Sequence, residues 1–470
     1  MGCALSLLRA LLQPRSIAVA ITPGDQGVGQ IIVSNLCAAG APGGVFVVAR
    51  GDRSKLQGTQ NTMKDWLELP VTPDLAIICT AAGEAAESLD FAGKRGIKTA
   101  VVCTDDPDGR GSHTPLKREL LDAARRHGCR FLGPGSAGLN LPAASVNASW
   151  ISEHPAVGKL ALVSQSGTVA ASVVGWAKSR GIGMSRLISV GDEADLGVDA
   201  MLDTLAADTR THAILLHIHA LSNGRAFMTS ARAAARIKPV LVLRPPHVTS
   251  DTMAELNDGR EDIFDAAFAR AGLLRVHDTE EWFSAAESVL RPMRRRGGKL
   301  AIVANGSGSA MLAAAFAGGE GVLANLCDTT MAQLCVVSPG TVSVANPLVL
   351  PRQANADQYR QVLAILREDQ GVAGAIVICS PSLVCAGAQG SHEAAILQAI
   401  AASATQSDLE VSVCWFGTSL DNDCRAALNA AGVVSTSCPN RLCAHSYIAS
   451  VTAETRKRCG RFRTRCGSNS

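Results

Sequence analysis

The chain has 470 residues, a net charge of +3, 47% hydrophobic residues and only 4% aromatic ones. That length argues for roughly three domains. Cores of Ala, Val, Leu and Ile suit parallel sheets covered on both faces, and so small a charge gives no electrostatic case for a specific nucleic-acid partner. The fifteen cysteines are scattered without a CxxC pair, which argues against a metal site or a disulfide framework and for reduced thiols in a cytoplasmic protein, and no apolar run reaches the ~18–20 residues of a membrane-spanning helix.

In chain order, Met1-Gly2-Cys3-Ala4-Leu5-Ser6 fits the N-myristoylation pattern, with Cys3 as a second acylation point; the alternative is the start of an amphipathic helix over Leu5–Leu12. Membrane contact is expected only if Gly2 and Cys3 are acylated. A buried strand at Ser16–Ile21 runs into Thr22-Pro23-Gly24-Asp-Gln-Gly27-Val-Gly29 and a helix to about Ala39. The glycine spacing differs from the dinucleotide fingerprint, but such a turn still points backbone N–H groups and a helix N-terminus at a phosphate. The strand Gly44–Val48 leads to Arg50, Asp52, Arg53 and Lys55, a basic cluster that suits an extra phosphate or, equally, a solvated loop. Strands Leu75–Cys79 and Thr99–Val102 and helices Glu84–Arg95 and Leu116–His127 complete a first unit, closing at Phe131-Leu-Gly133-Pro134-Gly-Ser-Ala-Gly138.

The next stretch is written twice. Gly158-Lys-Leu-Ala-Leu-Val-Ser164-Gln165-Ser166-Gly167-Thr168 matches residues 298–309, Gly-Lys-Leu-Ala-Ile-Val-Ala-Asn-Gly-Ser-Gly-Ser. Each copy is a buried strand breaking into a small polar turn and an alanine-rich helix, the unit of a doubly wound α/β domain. Strands at Leu187–Val190, Ala213–Ile218 and Pro239–Leu243 follow the first copy, and strands at Ala375–Cys379 and Val411–Phe416 follow the second. Arg291–Gly298 is a basic linker, and six basic residues in ten positions of the last stretch mark a disordered tail. The expected domains are 1–145, 155–292 and 298–453, with the tail at 454–470. The Ser164–Gly167 turn is either a phosphoryl cradle or a simple helix cap.

From about Leu8 to Thr452 the chain resembles the NDP-forming acyl-CoA synthetases, relatives of succinyl-CoA synthetase. The resemblance is carried by Leu11-Leu-Gln-Pro-Arg-Ser-Ile-Ala-Val19, Pro73–Ile78, Leu132-Gly-Pro134, Leu162–Gly167, Lys238–Val242 and Phe264–Phe268. Ala271–Val276 with Asp278–Phe283 is most similar to Pat-type bacterial protein lysine acetyltransferases. The resemblance implies a CoA-binding Rossmann-like domain followed by two flavodoxin-like domains. It places CoA or acyl-CoA at Thr22, Pro23, Gly24, Thr80, Ala81, Ala82, Gly133 and Pro134, to which the glycine turn and the basic cluster add Gly27, Gly29 and Arg50, and a phosphate turn at Ser164, Gln165, Ser166 and Gly167. It also implies a separate ATP-grasp or acetyltransferase chain as partner, and an oligomer.

Departures from the family pattern are as informative. The position of the phosphorylated histidine is Met253, whose thioether has no nitrogen to form a phosphoramidate. The glutamate that orients that histidine is His219, the supporting lysine is Arg244, and the Asn-Pro-x-Asp element reads Asn346-Pro-Leu-Val349. His217 and His219 share one strand face by spacing. No catalytic residue is expected at the lost positions. The leading expectation is a CoA-sensing regulatory module; the alternatives are an α-type subunit of an acyl-CoA synthetase and part of a protein lysine acetyltransferase system.

Overall fold

The computed structural model describes residues 10–22, 27–49, 62–105, 114–245, 260–290, 299–319, 321–337, 339, 343–380, 389–406, 408–415 and 422–436. The chain divides into two compact units, Met1–Thr279 and Glu280–Ser470. It is an α/β fold with three sheets in which parallel pairing dominates. The expected acylation motif, the loop around Met253, the 291–298 linker and the basic tail lie outside the described residues.

The first sheet has six strands in the order β3-β2-β1-β4-β5-β6. They are β1 (Ile17–Ile21), β2 (Val45–Ala49), β3 (Thr62–Met63), β4 (Leu75–Cys79), β5 (Thr99–Val102) and β6 (Arg130–Leu132). All pairs are parallel. This is the Rossmann strand order, with the reversal between β1 and β4. Ile17–Ile21 is apolar at every position and buried throughout, as a central strand covered on both faces requires. Helices α1 (Val28–Ala39), α2 (Ala82–Lys94) and α3 (Pro115–His127) cover it. Gly29 is needed where α1 crosses the sheet: a Cβ there would meet Ile21 Cγ2 at 2.4 Å and Cys79 Cβ at 3.1 Å.

The second sheet has seven strands in the order β13-β12-β11-β9-β10-β7-β8. Its parallel part is β9 (Val157–Ser164), β10 (Met184–Ser189), β11 (Ala213–His217), β12 (Val240–Leu243) and β13 (Leu274–Val276), in flavodoxin order. No strand is expected at Gly138–Ser149, which follows the Gly/Pro-rich turn closing the first unit. It is instead an antiparallel hairpin, β7 (Gly138–Leu141) and β8 (Val146–Ser149), and β7 pairs with β10. The chain therefore passes to the second sheet between Leu132 and Gly138, ahead of residue 145. Helices α4 (Gly167–Ser179), α5 (Val198–Ala207), α6 (Gly224–Ala235) and α7 (Arg260–Ala271) connect these strands.

Within the second unit, α8 (Thr279–Leu290) precedes a five-stranded parallel sheet in the order β15-β14-β16-β17-β18. Its strands are β14 (Leu300–Ala304), β15 (Leu348–Val349), β16 (Gly374–Cys379), β17 (Glu410–Trp415) and β18 (Val434–Thr436). The order is again that of flavodoxin, so the repeated stretch forms the first strand of two sheets with the same winding. The helix α9 (Ala356–Glu368) opens with a full capping box between Asn355 and Gln358, which satisfies two end N–H groups reciprocally.

A buried ion pair ties the N-terminal segment to the second sheet. Arg186 Nε donates to Asp208 Oδ2 at 2.8 Å and Arg186 Nη1 to the Leu12 carbonyl at 2.7 Å. Burial raises the Asp208 carboxyl, but the Arg186 guanidinium and the Thr211 hydroxyl outweigh it and hold the group below its usual value. A depressed carboxylate contributes stability that is present above its unfolded pKa and lost as pH falls through the folded one. Replacing one partner strands the other, at about 3–5 kcal/mol. Arg186→Met is expected to lower the urea midpoint at pH 7 by that order and to lose part of the wild-type decline below pH 4; a midpoint within error of wild type removes the pair as a determinant of stability.

Candidate functional site

In open α/β sheets ligands bind beyond the carboxyl ends of the strands, where the strand order reverses. In the first sheet this point lies between Thr22, after β1, and Thr80-Ala81-Ala82, after β4. Thr22 Oγ1 accepts the Ala81 N–H at 3.1 Å and donates to Glu84 Oε2 at 3.1 Å, so one hydroxyl bridges the two loops. Below it lies a cavity of about 80 Å³ lined by Ala20, Ile21, Val48, Trp66, Thr80 and Glu84, among others. Thr104 Oγ1 donates to the Thr80 carbonyl at 2.7 Å. Thr80 Oγ1 is buried with no hydrogen-bond partner, and a buried hydroxyl left unpaired is costly. It is an acceptor and donor waiting for a ligand or a water.

Two helix starts flank this point with opposite character. Gly27, the N-cap of α1, has no side chain to take up the first-turn N–H groups, and that turn carries no acid; it suits an anion. The first turn of α2 carries Glu84, and Glu87 also lines the cavity, so this side suits hydroxyl or amino groups. The expected site residues Thr22, Gly27, Gly29, Thr80, Ala81 and Ala82 thus converge on one sheet edge. Gly133 and Pro134 lie at the same end, in a turn where Gly133 N–H donates to Val190 O and Gly133 O accepts from Ala194 N–H, while Pro134 O accepts from Asp192 N–H. Gly133 has a φ of 105° and a Cβ there would strike the Val102 carbonyl, so backbone packing alone demands the glycine. Pro23, Gly24 and Arg50 lie outside the described residues.

The turn after β9 is organised by its amide. Gln165 Oε1 accepts His219 N–H at 2.6 Å and Ala220 N–H at 3.2 Å, and its Nε2 donates to Ala220 O at 2.7 Å and Glu193 Oε1 at 2.6 Å. Ser164 Oγ takes the Ser166 N–H at 3.0 Å and lies 3.2 Å from His217 Nδ1. Ser166 is the N-cap of α4, accepting from Val169 N–H at 3.5 Å. Gly167 is where Trp150 and Ala137 press on the helix start. The rings of His217 and His219 meet edge to face at 4.5 Å, on the sharing of one face that the spacing predicts. Met253 lies outside the described residues. Arg244 is buried with its guanidinium 3.8 Å from the Phe264 ring, which describes a packing contact.

The third sheet repeats the device. Asn305, the counterpart of Gln165 in the repeated stretch, donates from Nδ2 to Ser380 O at 2.9 Å and accepts Ser380 N–H on Oδ1 at 2.7 Å. Asn346, retained from the Asn-Pro element, bonds to Ile302 N–H, Leu300 O and Ala324 O. It holds the edge of β14. Among the described residues no group of acids, histidines and cysteines is placed to hold a metal ion, and no helix is long and apolar enough to cross a membrane.

Sequence reasoning missed Glu193, Glu84 and Thr104, each an ordinary polar residue in a loop or first turn. Glu193 has a φ of 53°, a left-handed conformation that costs a non-glycine residue about 1–2 kcal/mol. Burial pushes its carboxyl up to about 7, against hydrogen bonds from Gln165, Ser222 and Val198 N–H that favour the charged form. A carboxyl with a raised folded pKa stabilises fully below its unfolded value and loses that contribution as pH rises through about 7. Urea midpoints of wild type are therefore expected to fall between pH 5 and pH 8 by more than those of Glu193→Gln; equal falls in the two proteins exclude Glu193 as the source.

Residues 157–289 match the model of the succinyl-CoA ligase like flavodoxin domain. An ADP-forming acetate–CoA ligase I of Archaeoglobus fulgidus is 30% identical over 383 residues, covering 80% of this chain, which spans 55% of that relative's length. The alpha subunit of ADP-forming acetate–CoA ligase I from Pyrococcus furiosus is 29% identical over 364 residues, 75% of this chain and 78% of the subunit. The apo structure of a Candidatus Korarchaeum cryptofilum acetyl-coenzyme A synthetase 1 superposes with a TM-score of 0.85 at 23% identity, over 97% of this chain and 99% of that one; it establishes the shared fold. Together these findings support the succinyl-CoA ligase-like, NDP-forming acyl-CoA synthetase superfamily. They do not show the closer kinship with Pat-type acetyltransferases expected from residues 271–283.

Proposed function

We propose that this chain is an α-type subunit of an ADP-forming acyl-CoA ligase, binding CoA on the edge of its first sheet and working in the cytoplasm with a separate ATP-grasp chain. The observation that carries the CoA assignment is the contrast between the three strand-order reversals. In the second and third sheets a side-chain amide clamps the crevice. In the first a single threonine bridges it, a cavity stays open, and the buried Thr80 hydroxyl has no partner. The likeness to ligase alpha subunits supports the reaction class and favours this reading over a regulatory module.

In this reading the uncapped N–H groups of α1 hold the coenzyme's diphosphate, and Thr80 and Glu84 engage its hydroxyl or amino groups. CoA supplies the thiol that takes up the acyl group. The Ser164–Gly167 turn and the start of α4 offer backbone N–H groups to a phosphate, while Gln165 fixes the turn to the end of β11. What this chain lacks is the histidine that the family resemblance places at Met253. Acyl transfer by this subunit is then the attack of the CoA thiol on the carbonyl carbon of an acyl phosphate, forming the thioester as inorganic phosphate leaves, a step that needs no phosphohistidine at that position. Met253 together with His219 favours a second reading, a CoA-responsive module that has kept binding and lost phosphoryl transfer.

Calorimetric titration with CoA tests the binding. Thr80→Val removes an unpaired buried hydroxyl, so it is expected to weaken CoA about fivefold, the worth of one hydrogen bond of ~1 kcal/mol, without lowering the melting temperature. Unchanged affinity, or a lower melting temperature, refutes the ligand role of Thr80. Mixing the chain with acetyl phosphate and CoA is expected to yield acetyl-CoA and inorganic phosphate. CoA binding without product formation selects the second reading, and no CoA binding refutes both.

A further inference from the structure

Two thiols at the first sheet's edge belong to no step above. Cys79 ends β4 and Cys103 follows β5. The two strands are parallel and in register through Ile78 and Val102, and the ladder continues because Cys103 N–H donates to Ile78 O at 2.8 Å. Cys79 and Cys103 are thus opposite neighbours whose side chains leave the same face, with the Cys103 thiol close enough to perturb that of Cys79. Adjacent strands lie about 4.8 Å apart, inside the ~4.4–6.8 Å Cα separation that a disulfide spans. Both residues sit where the strands end, so the small inward shift a bond needs is not opposed by a continuing ladder. Cys79 is partly exposed and Cys103 buried.

We propose that Cys79 and Cys103 form a reversible dithiol–disulfide site that exchanges with low-molecular-weight disulfides and weakens the coenzyme site when oxidised. In the first step the Cys79 thiolate attacks one sulfur of the small disulfide; a Cys79 mixed disulfide forms and one small thiolate leaves. The Cys103 thiolate then attacks the Cys79 sulfur, the intramolecular bond forms and the second small thiolate leaves. The dithiol loses two electrons, the small disulfide gains them, and the two thiol protons pass through water to the departing thiolates. The neighbouring Cys103 thiol, and burial after it, hold the Cys79 thiol well above its ordinary value. The attacking thiolate is therefore a minor species at neutral pH, so exchange is slow and quickens as pH rises. Coupling to the coenzyme follows from Gly29, where α1 crosses so close to Cys79 that a Cβ would stand 3.1 Å from Cys79 Cβ. Drawing Cys79 toward Cys103 moves the surface on which the start of α1 rests.

The disulfide is independent of the proposed function; its effect on CoA affinity rests on that reading. The full chain is treated with oxidised glutathione, alkylated, digested and mapped by mass spectrometry. The expected product is a Cys79–Cys103 linked peptide that dithiothreitol releases, with Cys103→Ser accumulating glutathione on Cys79 instead. Recovery of both residues alkylated, while exposed Cys37, Cys327 or Cys335 carry glutathione, overturns the proposal, and the wild-type map decides this even if a variant fails to fold. The CoA dissociation constant of oxidised wild type is expected to rise about fivefold or more, and that of Cys79→Ser to ignore the treatment. A linked peptide with unchanged CoA affinity overturns the coupling. Absence of CoA binding in the reduced protein counts against the proposed function and leaves the peptide map to decide the disulfide.

Discussion

A parallel sheet whose strand order reverses splits open at the reversal, because neighbouring strands send their chains to opposite faces. Each sheet of this protein bridges that split with one side chain from the loop after its first strand. Thr22 reaches Ala81, Gln165 reaches His219 and Ala220, and Asn305 reaches Ser380. The choice of side chain sets the character of the edge. An amide donates and accepts at once and satisfies both backbone partners, leaving little for a ligand. A hydroxyl is shorter and bridges only by accepting from one loop and donating to a carboxylate. Below it remain the cavity and an unpaired hydroxyl.

The first two edges are coupled largely through backbone. The turn at Gly133 and Pro134 exchanges hydrogen bonds with the loop after β10, and Gly135 N–H and Ser136 N–H donate to Thr104 O and Val102 O. That same loop carries Glu193, which Gln165 holds. A run of backbone contacts, completed by the Gln165–Glu193 side-chain bond, therefore links the carboxyl end of the first sheet to the Ser164–Gly167 turn. The hairpin of β7 and β8 and the Arg186 contact with Leu12 reinforce the junction at two further places. Buried backbone groups must be paired, and at this junction the pairing partners come from the neighbouring sheet.

Much of this architecture was legible in the sequence. Apolar runs such as Ile17–Ile21, Leu75–Cys79 and Thr99–Val102 carry both their identity and nearly their limits, because strands buried on both faces have no polar positions to blur them. The repeated stretch disclosed two sheets of common winding. The hairpin Gly138–Ser149 was not legible: its residues alternate weakly, and its strand character depends on β10, far along the chain. Glu193 gave no local signal, since its raised carboxyl arises from burial that only the fold creates. Thr22 and Thr80 were picked out through the family resemblance, and their different roles, one a bridge and one unpaired, came only with the fold. The replacement of a histidine by Met253 was visible from the sequence alone, as chemistry at a position rather than as shape.

Asn305 is followed by Gly306. An asparagine before glycine is the dipeptide most open to attack by the following backbone nitrogen on the side-chain carbonyl, because glycine puts no side chain in the way. The succinimide that results opens to aspartate or isoaspartate. The aspartate product replaces the Nδ2 donor with a carboxylate oxygen facing the Ser380 carbonyl, turning a bond of 2.9 Å into a repulsion, and the isoaspartate product reroutes the backbone through the side-chain carbon. Gln165, with one more methylene and Ser166 after it, is far slower to cyclise. The two amides perform the same task in sister sheets, yet they age at different rates, and the third sheet carries the clock.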